Sequence, residues 1–317
     1  MAPLDHESFP DIMDSIILSG DWETWIALRG ASATFKTRVD DLLRRHLVMT
    51  HPAPRGANWH PVIITGRRCN TRIAPTAPTW GPVGSYADIL DDTVFDRALT
   101  HAHVVDLKGA LDPPPELIFK ICPRVLRIMP DSSGEFYRGV RSFSALAYHL
   151  VGGREGGTLV VFAGALKPKG DVNLPAWMRK VLFNLHFWEH EDRPMRLAPL
   201  PFNVQSFDHM DPVGKELVYI FPDNKDVPLH LVRSTLMDLI HGWNLDLTYT
   251  VVNLEGVCGG EDAASLAEQE IPQQWIKEMF WRDRYRLQLA MANVSFVTRA
   301  QYRARLDPGE WELETEI

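Results

Sequence analysis

The sequence predicts an α/β protein: a short three-helix module at the N-terminus, followed by a body built on a mainly parallel sheet. Three observations carry this. Apolar residues recur at three- and four-residue steps from Ile12 to Leu43, the period of one helix face. Proline and glycine then dominate residues 51–84. Beyond residue 85, short β-branched and apolar runs alternate with helical stretches, and strands separated by helices imply crossovers between parallel neighbours. The chain is therefore divided into a helical module (1–50), a connection (51–84) and an α/β body (85–317).

The first helix begins after Pro10, with Ile12, Met13, Ile16 and Ile17 on one face and Asp11 in the first turn, where its carboxylate meets the free N–H groups. Ser19-Gly20-Asp21 breaks the pattern. Trp22, Trp25, Ile26 and Arg29 form a second stripe that ends at Gly30. Phe35, Val39, Leu42 and Leu43 form a third, with Leu47 just beyond. Three such short helices bury little surface alone and need a partner or a neighbouring domain. In the connection, Pro52, Pro54, Pro61, Pro75, Pro78 and Pro82 fix φ and remove donors, so turns are expected there. A short strand at Val62-Ile63-Ile64 fits between them.

Six runs in the body read as strands: 103–107, 125–128, 159–162, 181–185, 217–221 and 247–252. A stripe of Val232, Leu236, Leu239, Ile240 and Trp243 marks one helix, and 273–292 marks another. The first two strands lie about 22 residues apart with Leu117 and Ile121 between them, which resembles a degenerate leucine-rich repeat. Later spacings are irregular. The expectation is an irregular leucine-rich-repeat-like solenoid, with a doubly wound sheet as the alternative. Residues 296–315 read as an amphipathic stretch against the body that ends in a solvated acidic tail.

Bulk properties narrow the function classes. A net charge of −8 over 317 residues carries no whole-chain signature of nucleic-acid binding. The basic groups Arg67, Arg68, Arg72 and Arg282, Arg284, Arg286 are interrupted by apolar or acidic residues and read as solvated surface. Cys69, Cys122 and Cys258 form neither a pair motif nor a framework, which favours a reducing compartment. The first residues are polar and acidic, the reverse of a signal peptide. The longest apolar run, Thr158–Leu166, is too short to span a bilayer. A cytoplasmic or nuclear protein without membrane or nucleic-acid partners is expected.

Phe9-Pro10, Ile12 and Ile16, Leu28-Arg29, Ala31-Ser32 and Phe35-Lys36 together resemble an F-box, of the divergent F-box-like type common in fungal proteins. Phe9 stands where Leu is usual, and Phe35 where Trp is common. The resemblance implies docking onto the Skp adaptor of a cullin ubiquitin ligase, with the body capturing a protein substrate. Phe9, Pro10, Ile12, Met13, Ile16, Trp25 and Leu28 are the adaptor-facing residues it implies. Recruitment is a proximity effect, so no catalytic residue, cofactor or metal is expected. A small-molecule-binding or hydrolytic α/β protein is the alternative, as is a scaffold whose N-terminal helices only cap the fold.

Several motifs bear on chemistry. His186-Phe187-Trp188-Glu189-His190 has the H-x-x-E-H spacing of a zinc-peptidase group, which needs a helix. The preceding residues alternate with period two, and in a strand the two histidines would lie about 13 Å apart. Ordinary surface histidines are expected. His101-Ala102-His103 lacks a third ligand. The glycines of 152–157 precede a strand instead of following one, and Gly256–Gly260 lacks the spacing of a phosphate loop. No cysteine stands in a nucleophile setting.

Overall fold

The structure is a computed structural model. It describes residues 10–19, 22–44, 46–50, 63–66, 102–108, 123–129, 156–162, 178–190, 193–197, 215–240, 247–278 and 284–315. Phe9, Cys69, Cys122, Leu117, Ile121, His101, Trp243, the first basic group and Gly152–Gly153 lie outside these.

The three apolar stripes are three helices: α1 (Pro10–Ser19), α2 (Trp22–Ala31) and α3 (Ala33–Arg44). Pro10 is the first helical residue of α1, where its missing N–H costs no bond and its fixed φ suits the turn. Ser32 caps α3: its Oγ accepts a hydrogen bond from the Phe35 N–H at 3.2 Å. Helices α2 and α3 pack on each other. Met13 and Ile17 from α1 and Phe35 and Val39 from α3 are buried.

The body holds eleven strands in the described residues, nine of them in one sheet. They are β1 (His46–Thr50), β2 (Ile63–Gly66), β3 (Val104–Lys108), β4 (Val125–Met129), β5 (Gly157–Phe162), β6 (Met178–Asn184), β9 (Glu216–Ile220), β10 (Thr248–Val252) and β11 (Val294–Val297). The order across the sheet is β11-β10-β9-β6-β5-β4-β3-β1-β2. Eight strands are parallel; only β2, at the edge, runs antiparallel, against β1. β7 (Phe187–His190) and β8 (Arg193–Leu197) form a separate antiparallel hairpin. The parallel strands follow one another in chain order from one edge to the other. A doubly wound sheet reverses that order at a switch point; the parallel strands contain no reversal, and the order turns back only at β1, which has the antiparallel β2 on one side and β3 on the other.

All six runs read as strands are strands, because a parallel sheet covered on both faces makes near-continuous apolar sequence. Val105, Leu159, Val161, Leu182, Val218, Tyr219 and Val252 are fully buried, from both faces. β1 is the surprise: it lies inside the segment assigned to the helical module, yet it is hydrogen-bonded on both sides.

Helix α4 (Leu229–Ile240) buries Val232 and Leu236 as its stripe predicted. After β10 come α5 (Glu255–Cys258) and α6 (Gly260–Ser265), then a π-helical turn over Leu266–Glu270 and α7 (Ile271–Glu278). The turn ends at Glu270, two residues before Pro272, whose ring supplies no N–H for the regular ladder. The Ile271 N–H bonds instead to the Leu266 carbonyl, one residue farther back than in an α-helix. α8 (Arg284–Ala292) precedes β11.

The chain ends with α9 (Arg299–Arg303) and α10 (Glu310–Thr315). Thr298 and Gln301 cap α9 reciprocally in a capping box. The acidic end is not solvated as the sequence suggested. Glu314 is buried, and Tyr302, Leu306 and Trp311 pack on the sheet face formed by Val160, Phe162, Leu182, Val218 and Ile220. The reason is a set of cations and hydrogen-bond donors waiting beneath the tail, described below.

Candidate functional site

The N-terminal module presents an exposed apolar stripe; Tyr285, Leu289 and Met291 of α8 are exposed as well. Ile12 and Ile16 sit one turn apart on α1 and are 53% and 40% exposed, while Met13 and Ile17 are 6% and 2% exposed. The apolar face of α1 is thus wide enough to be shared. Met13 and Ile17 anchor the helix, and Ile12 and Ile16 form a stripe turned to water. Among the expected adaptor-facing residues, Pro10 opens α1, Trp25 lies within α2, and Leu28 is half-buried. Met13 is buried and Phe9 lies outside the described residues. The structure therefore brings Ile12 and Ile16 together at the surface and turns Met13 inward.

The described parts of the histidine and glycine motifs have structural places. His186 lies just before β7 and His190 is its last residue, so neither is on a helix. Among the described residues no group of three or more His, Cys, Asp or Glu could hold a metal ion. Gly256 opens no phosphate cradle. A Cβ there would lie within 2.8 Å of Cγ and Oδ1 of Asn253, whose carboxamide fills the space. Asn253 has φ 65°, and its Nδ2 donates to the Phe221 carbonyl and to Asp223 Oδ1, each at 3.0 Å. The turn after β10 is filled by the chain itself.

No family model, curated protein or solved structure matches the chain. Among the described residues no helix is long and apolar enough to cross a membrane.

Two groups of buried charge lie on one face of the sheet. The register row Val48–Asp106–Arg127–Val160–Leu182–Val218–Thr250 crosses seven strands. In it Asp106 faces Arg127, Oδ1 to Nε at 3.4 Å, and His46 Nε2 lies 2.9 Å from the same oxygen. The Arg127 guanidinium also lies over the Phe162 ring, 5.4 Å from its centre.

The second group joins β6 to the C-terminus. Lys180 is paired with Glu314. The Tyr302 hydroxyl donates to Glu314 Oε2 at 2.8 Å, and Asn184 Nδ2 donates to the Glu314 carbonyl at 2.5 Å. Burial pushes the Glu314 carboxyl above its usual range, although Lys180 and Tyr302 pull it back down. Burial, with Glu314 alongside, pushes the Tyr302 hydroxyl far up. Sequence reasoning missed both groups. Asp106 and Arg127 stood inside correctly read strands, but their pairing depends on register, and Lys180 and Glu314 are 134 residues apart.

Proposed function

We propose that this chain is an F-box-like adaptor of a Skp–cullin ubiquitin ligase, with the α/β body capturing the protein to be modified. The observation that carries the reading is the exposed Ile12–Ile16 stripe on a helix that opens at Pro10 and is anchored by Met13 and Ile17. A helix that leaves two isoleucines in water one turn apart is suited to lie in an apolar groove. The F-box resemblance assigns that groove to the Skp adaptor. The resemblance adds Pro10, Trp25 and Leu28 to the adaptor-facing set, and Met13, which is buried, supports the helix from within.

The sequential order of the eight parallel strands supports the leucine-rich-repeat-like solenoid as the form of the body. Such bodies recruit through extended surfaces and use no chemistry of their own. Binding to the adaptor should fall at least a hundredfold in the full-length Ile12→Asp/Ile16→Asp chain, from about 1.5 kcal/mol lost per isoleucine. Undiminished binding by that variant, with unchanged circular dichroism, would sink the reading.

A capping role is the second reading. It is favoured by the packing of α3 against β1, which begins two residues after α3 ends. In that case the same variant lowers the melting temperature and no adaptor is recovered with either protein.

A further inference from the structure

The sheet ends at β11, and the outer side of that strand is open. The Tyr249 N–H bonds to the Asn293 carbonyl at 2.8 Å, and the Asn253 N–H to the Val297 carbonyl at 3.0 Å. In a parallel ladder this phase ties Asn293, Ser295 and Val297 to β10, with Val294 and Phe296 opposite Tyr249 and Val251. The N–H and C=O groups of Val294 and Phe296 therefore point away from β10, and among the described residues nothing pairs with them. Edge strands are ordinarily guarded by a charge, a proline or a bulge. β11 reads Val-Ser-Phe-Val in regular register, with none of these. Val294, Ser295 and Phe296 are half-buried, whereas four of the five residues of β10 are buried.

Helix α8 leads directly into this edge and contacts it. Its described exposed residues are Tyr285, Gln288, Leu289, Met291 and Ala292, which fall on one side of a helix at 3.6 residues per turn. A helix face turned to water is normally charged; this one carries no charge. The whole stretch Leu287–Thr298 contains no charged residue, and Arg299 and Arg303, which follow in α9, are already paired with Asp223 and Glu312. Two copies of this surface can therefore meet without like-charge repulsion.

We propose that β11 is a homodimer interface, in which the strand pairs antiparallel with β11 of a second copy about a two-fold axis at Ser295. The strand is self-complementary in this register. Val294 faces the partner's Phe296 and Phe296 faces the partner's Val294, and each pair exchanges two hydrogen bonds, so every outward group of both strands is satisfied. An axis at Val294 or at Phe296 would instead set one of these residues against a position outside β11. Each Val–Phe pair also brings its side chains together on one face of the joined sheet. The axis is perpendicular to the sheet, so both uncharged α8 faces lie on the same side of it. Such a closed isologous contact leaves no open copy of this edge. The interface uses nothing from residues 10–44 and stands independently of the adaptor reading.

The test is disulfide cross-linking of the full-length chain carrying Ser295→Cys in a Cys69→Ser/Cys122→Ser background. The two copies of position 295 would form a non-hydrogen-bonded pair with Cα atoms about 4.5 Å apart, within reach of a disulfide. Mild oxidation is expected to convert most of this protein into a covalent dimer and to leave the background with Ser295 uncross-linked. Light scattering of the unaltered chain should give twice the chain mass. Phe296→Pro removes an outward donor and no bond to β10, and should raise the dimer dissociation constant at least about thirtyfold with unchanged circular dichroism. The cross-link reads the same pairing should Phe296→Pro fail to fold. A monomeric unaltered chain overturns the proposal, as does a folded Phe296→Pro chain that dimerises equally well. Assembly without the cross-link overturns it too, because the contact would then lie elsewhere.

Discussion

Arg127 and Asp106 face each other across β4 and β3 with their side chains 0% and 1% exposed, so an ion pair is enclosed within the sheet. Removing one partner leaves the other charged and dry. Asp106→Ala is expected to cost about 3–5 kcal/mol, whereas Asp106→Leu/Arg127→Met should cost clearly less, because apolar replacements of similar volume remove both desolvation costs. His46 is 20% exposed and keeps access to water in either variant. Urea midpoints of the two variants check this. A double variant that loses as much stability as Asp106→Ala, or more, would contradict it.

Gly256 is needed because of Asn253, not because of a ligand. Gly256→Ala drives a methyl into a carboxamide held by two hydrogen bonds, which should cost about 1–3 kcal/mol. Adding Asn253→Gly empties that space and tolerates the positive φ. The double variant should therefore be more stable than the two separate losses predict. Chemical denaturation of the four-protein cycle measures the coupling.

Cys258 should behave as an inert thiol. Burial, with Asp262 and Glu255 nearby, pushes it up to about 11. In a full-length Cys69→Ser/Cys122→Ser chain, iodoacetamide should react at pH 8 about a hundredfold more slowly than with free cysteine. The rate should climb about tenfold per pH unit up to pH 10. Fast labelling at neutral pH would contradict this environment.

Glu314 predicts a pH dependence with a definite sign. Its folded-state carboxyl is raised from 4.5, chiefly by burial. The unfolded chain therefore ionises this group first, and the stability it contributes is fully present below its ordinary range and is lost as pH rises through the folded value. The melting temperature of the wild type relative to Glu314→Gln should rise as the pH is lowered from 7 to about 4.5. Taking the difference cancels the response of the other carboxylates. A difference that falls on acidification would show that the Lys180 attraction outweighs burial.

Much of the fold was legible because each element has its own period. The runs at 125–128, 159–162 and 217–221 are strands covered on both faces, and covered parallel strands leave continuous apolar sequence. β1 was not legible as a strand: Leu47 follows Leu43 at a helical step, so the third stripe extended smoothly into it. β11 is only four residues long and sits beside a helix rich in the same apolar residues. On α1 the stripe was visible, but not which half of it is covered. Met13 and Ile16 look alike in sequence, and only packing assigns one to the interior and the other to water. The tail read as solvated because its carboxylates were counted without the cations of β6, α9 and the residue before β4, which the fold alone brings to them.

The most direct test of the central claim is co-purification of the Skp adaptor with the tagged full-length chain, beside Ile12→Asp/Ile16→Asp and a deletion ending at Arg44. The deletion has to stop there because His46–Thr50 is an inner strand of the sheet. The account predicts adaptor recovery with the wild type alone, with both altered proteins still folded. Equal recovery with the double variant, or no recovery with any of the three, would contradict it.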